Sequence, residues 1–131
     1  MTTFTPQIAH YLERYHRGDT DDAFHGLLEL GRDVLPELEA EFRAATDVHL
    51  RVFLLHAIWQ HRQQSVIPFL AEALLDSEVR VWREALDGLV ALASPASIEA
   101  LHATKGQRHE EDFSRWLEES IQQAEAEAQR L

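Results

Sequence analysis

Histidine and carboxylate side chains at helical spacing are the residues of this chain best suited to chemistry. Two Glu-x-x-His pairs occur, Glu13 with His16 and Glu99 with His102. This spacing places a carboxylate and an imidazole on one helix face, as in di-iron bundles. A chain with 23 acidic residues and eight His produces roughly one such pair by chance, however. A di-iron bundle also needs long helices, and Gly and Pro interrupt this chain often. A metal-binding or catalytic helical domain is therefore only a remote alternative.

A second polar group, formed by His49, His56 and Gln60, is predicted to share one face of a single helix. We interpret it as a hydrogen-bonded stripe beside a neighbouring helix. The chain contains no His-x-x-x-His, Gly-x-Ser-x-Gly or Gly-rich phosphate motif, and it has no cysteine. The sequence therefore predicts a non-enzyme with no catalytic residue, no cofactor and no metal site.

Two arginines near an aromatic residue, Arg80 and Arg83 beside Trp82, could form a phosphate-binding patch of the kind that some DNA glycosylases use. Such surfaces are strongly basic. This chain has a formal net charge of −11, which repels phosphate backbones. The charge predicts no nucleic-acid binding and favours a basic protein partner, whose association it would accelerate.

Apolar residues recur at helical spacing along almost the whole chain, and no strand alternation is found. The pattern predicts eight short helices in one domain, residues 1–131. Within it, residues 1–18 form a cap helix, residues 19–104 hold the repeats, and residues 107–131 form a second cap helix with a polar tail. The fourth helix, starting after Asp47, is apolar on two opposite faces and is expected to be buried between neighbours. The N-terminus has no basic and apolar leader pattern, and no apolar run could span a membrane, so we expect a cytoplasmic protein.

Internal repetition distinguishes a solenoid from a bundle. The pentapeptide VLPEL at 34–38 matches VIPFL at 66–70, 32 residues later, and Ile98 follows Ile67 by 31 residues. Two stretches that begin with Asp47 and Asp76 recur between these segments. A two-helix unit, with an Asp cap on its first helix and an early Pro in its second, therefore repeats about three times. No pair can bury its own apolar face, so the pairs are expected to stack.

The segments DVHLRVFLLHAIWQ and DSEVRVWREALDGLVAL resemble the first helices of HEAT repeats, in which an Asp precedes a hydrophobic-Arg step. The resemblance, to the HEAT-repeat or armadillo-like α-solenoid family, covers roughly residues 19–104. It implies an all-α, right-handed superhelix of about four helix pairs. It also implies an Asp–Arg ladder between repeats, formed by Asp47, Arg51, Asp76 and Arg80. Such arrays serve mainly as binding scaffolds.

In HEAT-like solenoids the second helices of the pairs line the concave side, so their outward residues are candidates for partner binding. Steps of 100° per residue predict a mostly acidic ridge with one large aromatic anchor. Its members are Glu37, Glu41, Phe69, Glu72, Asp76 and Glu99. The alternative is that Phe69 packs sideways against the next helix and leaves the acids as a solvated face.

The sequence thus predicts a monomeric or weakly dimeric protein-binding module. Its most concrete form is an immunity protein that neutralises a basic bacterial toxin, for example a nuclease. The alternative is a regulatory scaffold or chaperone-like adaptor for an enzyme complex, which would bind by shape and apolar contact.

Overall fold

The computed structural model describes residues 3–130, so the ends of the predicted domain, residues 1, 2 and 131, lie outside the described part. Within residues 3–130 the chain is helical and contains no strand, which confirms the all-α prediction. The chain divides into two compact units between His61 and Arg62.

The first unit holds four helices. They are α1 (Thr5–His16), α2 (Thr20–Glu29), α3 (Leu35–Ala44) and α4 (Val48–Gln60). Helix α1 packs against α2, and α4 packs against both α2 and α3. The second unit holds α5 (Ile67–Ala73), α6 (Val79–Leu92), α7 (Pro95–Thr104) and α8 (Glu111–Gln129). In this unit α5 packs against α6 and α7, and α8 packs against the same two helices.

Helix α4 is buried on two sides, as its sequence predicts. Its buried side chains lie on more than one side of the helix and include Leu54, Leu55, Ile58 and Trp59, while the stripe with His56 and Gln60 is only half-buried. The Asp47 carboxylate accepts a hydrogen bond from the Leu50 backbone N–H at 2.9 Å, which confirms the predicted cap.

The second helices of the first two predicted pairs, α3 and α5, begin without a side-chain cap. Instead, 3₁₀ turns at Arg32–Val34 and Gln64–Val66 lead into α3 and α5. Their backbone bonds take the place of side-chain caps, since a 3₁₀ turn pairs N–H groups three residues back. A proline at the first or second position of α3, α5 and α7 is confirmed.

A left-handed backbone residue follows the first helix of each predicted pair. Gly31 ends α2 with φ 84°, Arg62 ends α4 with φ 57°, and Ala93 ends α6 with φ 47°. These three positions recur at an interval of 31 residues. A left-handed residue just past a helix reverses the chain direction. The repeat seen in the sequence is therefore also a repeat in backbone conformation.

The first turns of α7 and α6 define two boundaries in the second unit. Helix α7 begins at Pro95, and Ser94 caps it by accepting from the Ser97 N–H at 3.1 Å. Helix α6 begins at Val79, which is 49 % exposed despite its large apolar side chain. This exposure follows from position, because a residue in the first turn lies at the end of the buried stripe.

Candidate interaction surface

The predicted aromatic anchor, Phe69, does not reach the surface. Its side chain is only 5 % exposed, so the prediction of an outward Phe69 is wrong and the alternative that it is buried is confirmed. The physical reason is that α5 packs against two helices, α6 and α7, and so has a wide buried arc. Phe69 and Ala73 extend this arc beyond the inward positions Ile67, Leu70 and Leu74.

The open face of α5 is displaced by one residue from its predicted position. It carries Pro68, Glu72 and Leu75, with Ala71 half-buried. Leu75 is 49 % exposed, although its large apolar side chain gave no reason to expect this. The Leu75 N–H donates to the Glu72 carbonyl oxygen at 3.0 Å, so Leu75 continues the helical turn of that carboxylate residue. Leu75, in the turn that follows α5, therefore takes the place predicted for Phe69 as the exposed apolar residue of this region.

Helix α7, which packs beside α5, presents small and acidic residues. Glu99 is exposed as predicted, together with Ala96 and Ala103. Thr104, in contrast, is buried and donates its hydroxyl to the Ala100 carbonyl oxygen at 2.9 Å. We use the term α5–α7 face for the surface made by Glu72, Leu75 and Glu99. It combines two exposed carboxylate residues with one exposed aliphatic residue.

Two of the predicted partner-binding carboxylates have structural contacts instead. Glu37 is half-buried, and its two oxygens accept from the Phe4 N–H at 2.9 Å and the Thr5 hydroxyl at 3.3 Å. A carboxylate at this place neutralises the positive N-terminal end of α1. The Asp76 carboxylate accepts from the Glu78 N–H at 2.9 Å and shapes the turn before α6. Glu37 and Asp76 thus have structural contacts at a helix start and in a turn, and Glu41 is half-buried on α3. Their part in partner binding stays a prediction.

Arg108, which the sequence did not single out, holds the loop that carries Leu75. Its Nη1 donates to the carbonyl oxygens of Leu74 at 2.8 Å and Asp76 at 2.7 Å. Its guanidinium also lies 4.6 Å from the centre of the Phe113 ring, and its side chain is 13 % exposed. The Nε donates to Glu110, and hydrogen bonds to that carboxylate, from its own backbone and then from Arg108, lower the Glu110 pKa. The loop between α5 and α6 is thus fixed from the loop before α8.

A polar cleft of about 300 Å³ lies between α1 and α2 in the first unit. Gly26 makes this close approach possible, because a Cβ there would overlap the Tyr11 ring. Arg14 pairs with Asp22 at 3.0 Å inside the cleft. The remaining lining residues are His10, His25 and Glu29. A second cleft of about 380 Å³, in the second unit, is lined by Arg62, Asp87, Val90, Ala91, Gln123 and Glu127.

The histidines are not assembled into a metal centre in the described part of the chain. Among residues 3–130 no group of three or more His, Asp or Glu side chains is placed to hold a metal ion. His102 of one Glu-x-x-His pair lies 3.4 Å from Glu125, and Glu13 of the other pairs with Arg17. His56 stacks on Phe24, with 5.0 Å between ring centres.

Trp82 is not available for the phosphate-binding patch that the net charge of the chain disfavours. Trp82 is buried, and its ring meets Phe113 edge-on with 5.1 Å between ring centres. Arg83 lies instead over the ring of Trp116 on α8, 3.8 Å from its centre. The sequence offered no signal for this pair, since the two residues are 33 positions apart.

Comparisons with known proteins found no match from which a function could be inferred. No protein-family model matches the chain, and neither a curated protein nor a solved structure matches it significantly. Within residues 3–130, no helix has both the length and the apolar character needed to cross a membrane.

Proposed function

We propose that this protein is a non-catalytic binding module that uses its acidic α5–α7 face to hold a basic protein partner. The observation that carries the proposal is the composition of this face. Glu72 and Glu99 are exposed on adjacent helices, and Leu75 lies one turn from Glu72 with half of its surface open. An apolar residue rimmed by charge is a common arrangement of an interaction hot spot.

The net charge of the whole chain supports the same kind of partner. With 23 acidic and 12 basic residues, the protein attracts cations over a distance and repels polyanions. In this proposal charge steers the encounter, and burial of Leu75 slows dissociation. Glu41, on α3 of the first unit, stays a predicted additional contact.

We further propose that the helix pairs stack as a right-handed, HEAT-like solenoid. The recurrence of left-handed residues at 31-residue intervals supports this architecture, as do the two 3₁₀ turns that precede α3 and α5. Equivalent positions in these two segments are buried alike, Val34 with Val66 and Leu38 with Leu70. Repeated helix pairs with equivalent buried positions are the units from which solenoids are built.

The most concrete form of the function is an immunity protein that neutralises a cognate toxin. A nuclease toxin must be basic where it holds nucleic acid, so an acidic face could cover that site. The support is the small size, the charge and the acidic α5–α7 face. Capture from the native source, with mass spectrometry of the bound proteins, tests this form. We expect a basic protein, and its absence would contradict the proposal.

A scaffold or adaptor that binds mainly by apolar contact is the second candidate. The exposure of Leu75, Val79 and Trp116 favours it. The two candidates respond differently to salt, because screening weakens charge-steered association and leaves apolar burial intact. A titration of the captured complex with salt separates them: affinity falls for a basic partner and stays constant for an adaptor.

A further inference from the structure

A tryptophan and an arginine form an exposed stacked pair between two helices of the second unit. The Arg83 guanidinium, on α6, lies 3.8 Å from the centre of the Trp116 ring, on α8. Trp116 is 37 % exposed, and Arg83 is exposed as well. Tryptophan and arginine are among the residue types most enriched in interaction hot spots. The pair is unrelated to the α5–α7 face, which lies on other helices.

Val79 extends the pair into a small apolar and cationic surface. It precedes Arg83 by four residues in α6, so the two side chains are neighbours on one face of that helix. Val79 is as exposed as Leu75, although both are large apolar residues. We call Val79, Arg83 and Trp116 the Trp116 patch.

The charge environment of Arg83 indicates what the patch can bind. Other arginines of the described residues pair with carboxylates, for example Arg14 with Asp22 and Arg115 with Asp112. Arg83 forms no salt bridge within residues 3–130, even though acidic residues outnumber basic ones almost two to one. A guanidinium stacked on a ring is held in place and keeps its N–H edge for a planar carboxylate.

We propose that the Trp116 patch docks an acidic peptide segment of another protein. A carboxylate of the segment accepts from the Arg83 N–H groups, and an adjacent aliphatic side chain packs on Val79 and the open edge of Trp116. A nucleic acid is disfavoured, because its many phosphates meet a chain of net charge −11, whereas a single carboxylate needs only the Arg83 guanidinium as its partner. This inference goes beyond the proposed function, since the α5–α7 face selects the opposite charge.

Tryptophan fluorescence tests the proposal directly. Trp59 and Trp82 are buried, so Trp116 is the exposed tryptophan among the three. The probes are two blocked, otherwise uncharged peptides of equal length, one with a single Glu beside a Leu and one with a single Lys in the place of that Glu. We expect the Glu peptide to shift the emission and the Lys peptide to leave it unchanged. Replacing Trp116 with Phe should abolish the shift.

Charge variants locate the contact. Arg83→Gln should weaken Glu-peptide binding about tenfold, the loss of one charge-assisted pair, whereas the matched control Arg130→Gln should not change it. The proposal would be overturned if both peptides gave equal responses, if neither gave a response, or if Arg83→Gln bound the Glu peptide as well as the wild-type protein does. A dimer that Arg83→Gln separates would also overturn it, by assigning the patch to a second copy. None of these results depends on Glu72 or Glu99. A result that contradicts peptide binding at the Trp116 patch would therefore leave the proposed function unaffected.

Discussion

The Nη1 atom of Arg108 lies 2.7 Å from the carbonyl oxygen of Asp76, across 32 positions of sequence. The same nitrogen donates to the Leu74 carbonyl oxygen, so one guanidinium satisfies two acceptors at the end of α5. Backbone carbonyls beyond the last turn of a helix have no intrahelical partner and must find one elsewhere. Arg108 supplies the missing donor for the carbonyl groups of Leu74 and Asp76. It thereby sets the position of Leu75, which lies between them in the chain.

Replacing Arg108 should destabilise the protein. Arg108→Met keeps the apolar stem over Phe113 and removes the donors to Leu74 and Asp76. We expect a loss of about 2–3 kcal/mol in the free energy of unfolding, the range for charge-assisted hydrogen bonds in a mostly buried place. Urea denaturation measures it. The control Arg115→Met, on the exposed side of α8, should cost below about 0.5 kcal/mol; an equal loss in both variants would refute the role of Arg108.

Gly31 should tolerate alanine poorly because of its backbone conformation. Its backbone has φ 84° and ψ 172°, a region that side chains rarely adopt, and no atom lies within 4 Å of an added Cβ. Gly31→Ala therefore tests backbone strain alone, and we expect a loss of about 1–2 kcal/mol in unfolding free energy. Gly106→Ala is the matched control. Its added Cβ would meet the Ala103 carbonyl oxygen at an ordinary 3.7 Å, so stability should be unchanged or slightly higher.

His61 should make stability depend on pH. Burial lowers its pKa from 6.5, against an opposing hydrogen bond to the Leu27 backbone. The unfolded chain then binds a proton more readily than the folded chain, so stability falls as pH drops through about 6.5 toward the lower folded pKa. The free energy of unfolding should therefore fall less between pH 7 and pH 5 in His61→Gln than in the wild-type protein. His109→Gln, in an exposed loop, should leave the wild-type slope in place; a similarly reduced fall there would contradict the assignment to His61.

Glu37 should act on stability and leave partner binding unchanged. Glu37→Ala removes the acceptors of the Phe4 N–H and the Thr5 hydroxyl, and we expect a loss of about 1 kcal/mol, typical of a helix cap. Amide hydrogen exchange should rise first in the opening turn of α1. If affinity for a captured partner falls while exchange stays the same, Glu37 belongs to the binding surface after all.

The sequence predicts the helices well because apolar spacing reports which side of a long helix is buried. This holds for α4, where two apolar stripes correctly indicate burial on both sides. It fails for α5, which has only seven residues, because apolar side chains point in most directions and spacing does not select the open one. The roles of Arg108 and Glu37 could not be predicted, since their partners are mostly backbone groups more than 30 positions away.

The exposed pair of Arg83 and Trp116 could not be predicted from the sequence either, although it forms a candidate site. Local spacing suggested that Arg83 would lie beside Trp82, but adjacent residues in a helix point in different directions. Trp82 enters the core of the second unit, whereas Arg83 remains outside and meets Trp116 of α8. Contacts between helices that are distant in sequence therefore decide which arginine and which tryptophan form a surface.

The most direct test of the central claim is the affinity of the captured partner for wild-type protein and for the variant Glu72→Lys/Glu99→Lys, measured by calorimetry from about 0.1 M to about 1 M salt. The screening length falls from about 10 Å to about 3 Å over this range. Glu118→Lys/Glu119→Lys, on α8, is the charge-matched control. We predict that wild-type affinity falls with salt, that the α5–α7 variant binds at least about tenfold more weakly at low salt, and that the control loses less. Equal, salt-independent affinity for all three proteins would contradict an acidic face that binds a basic partner.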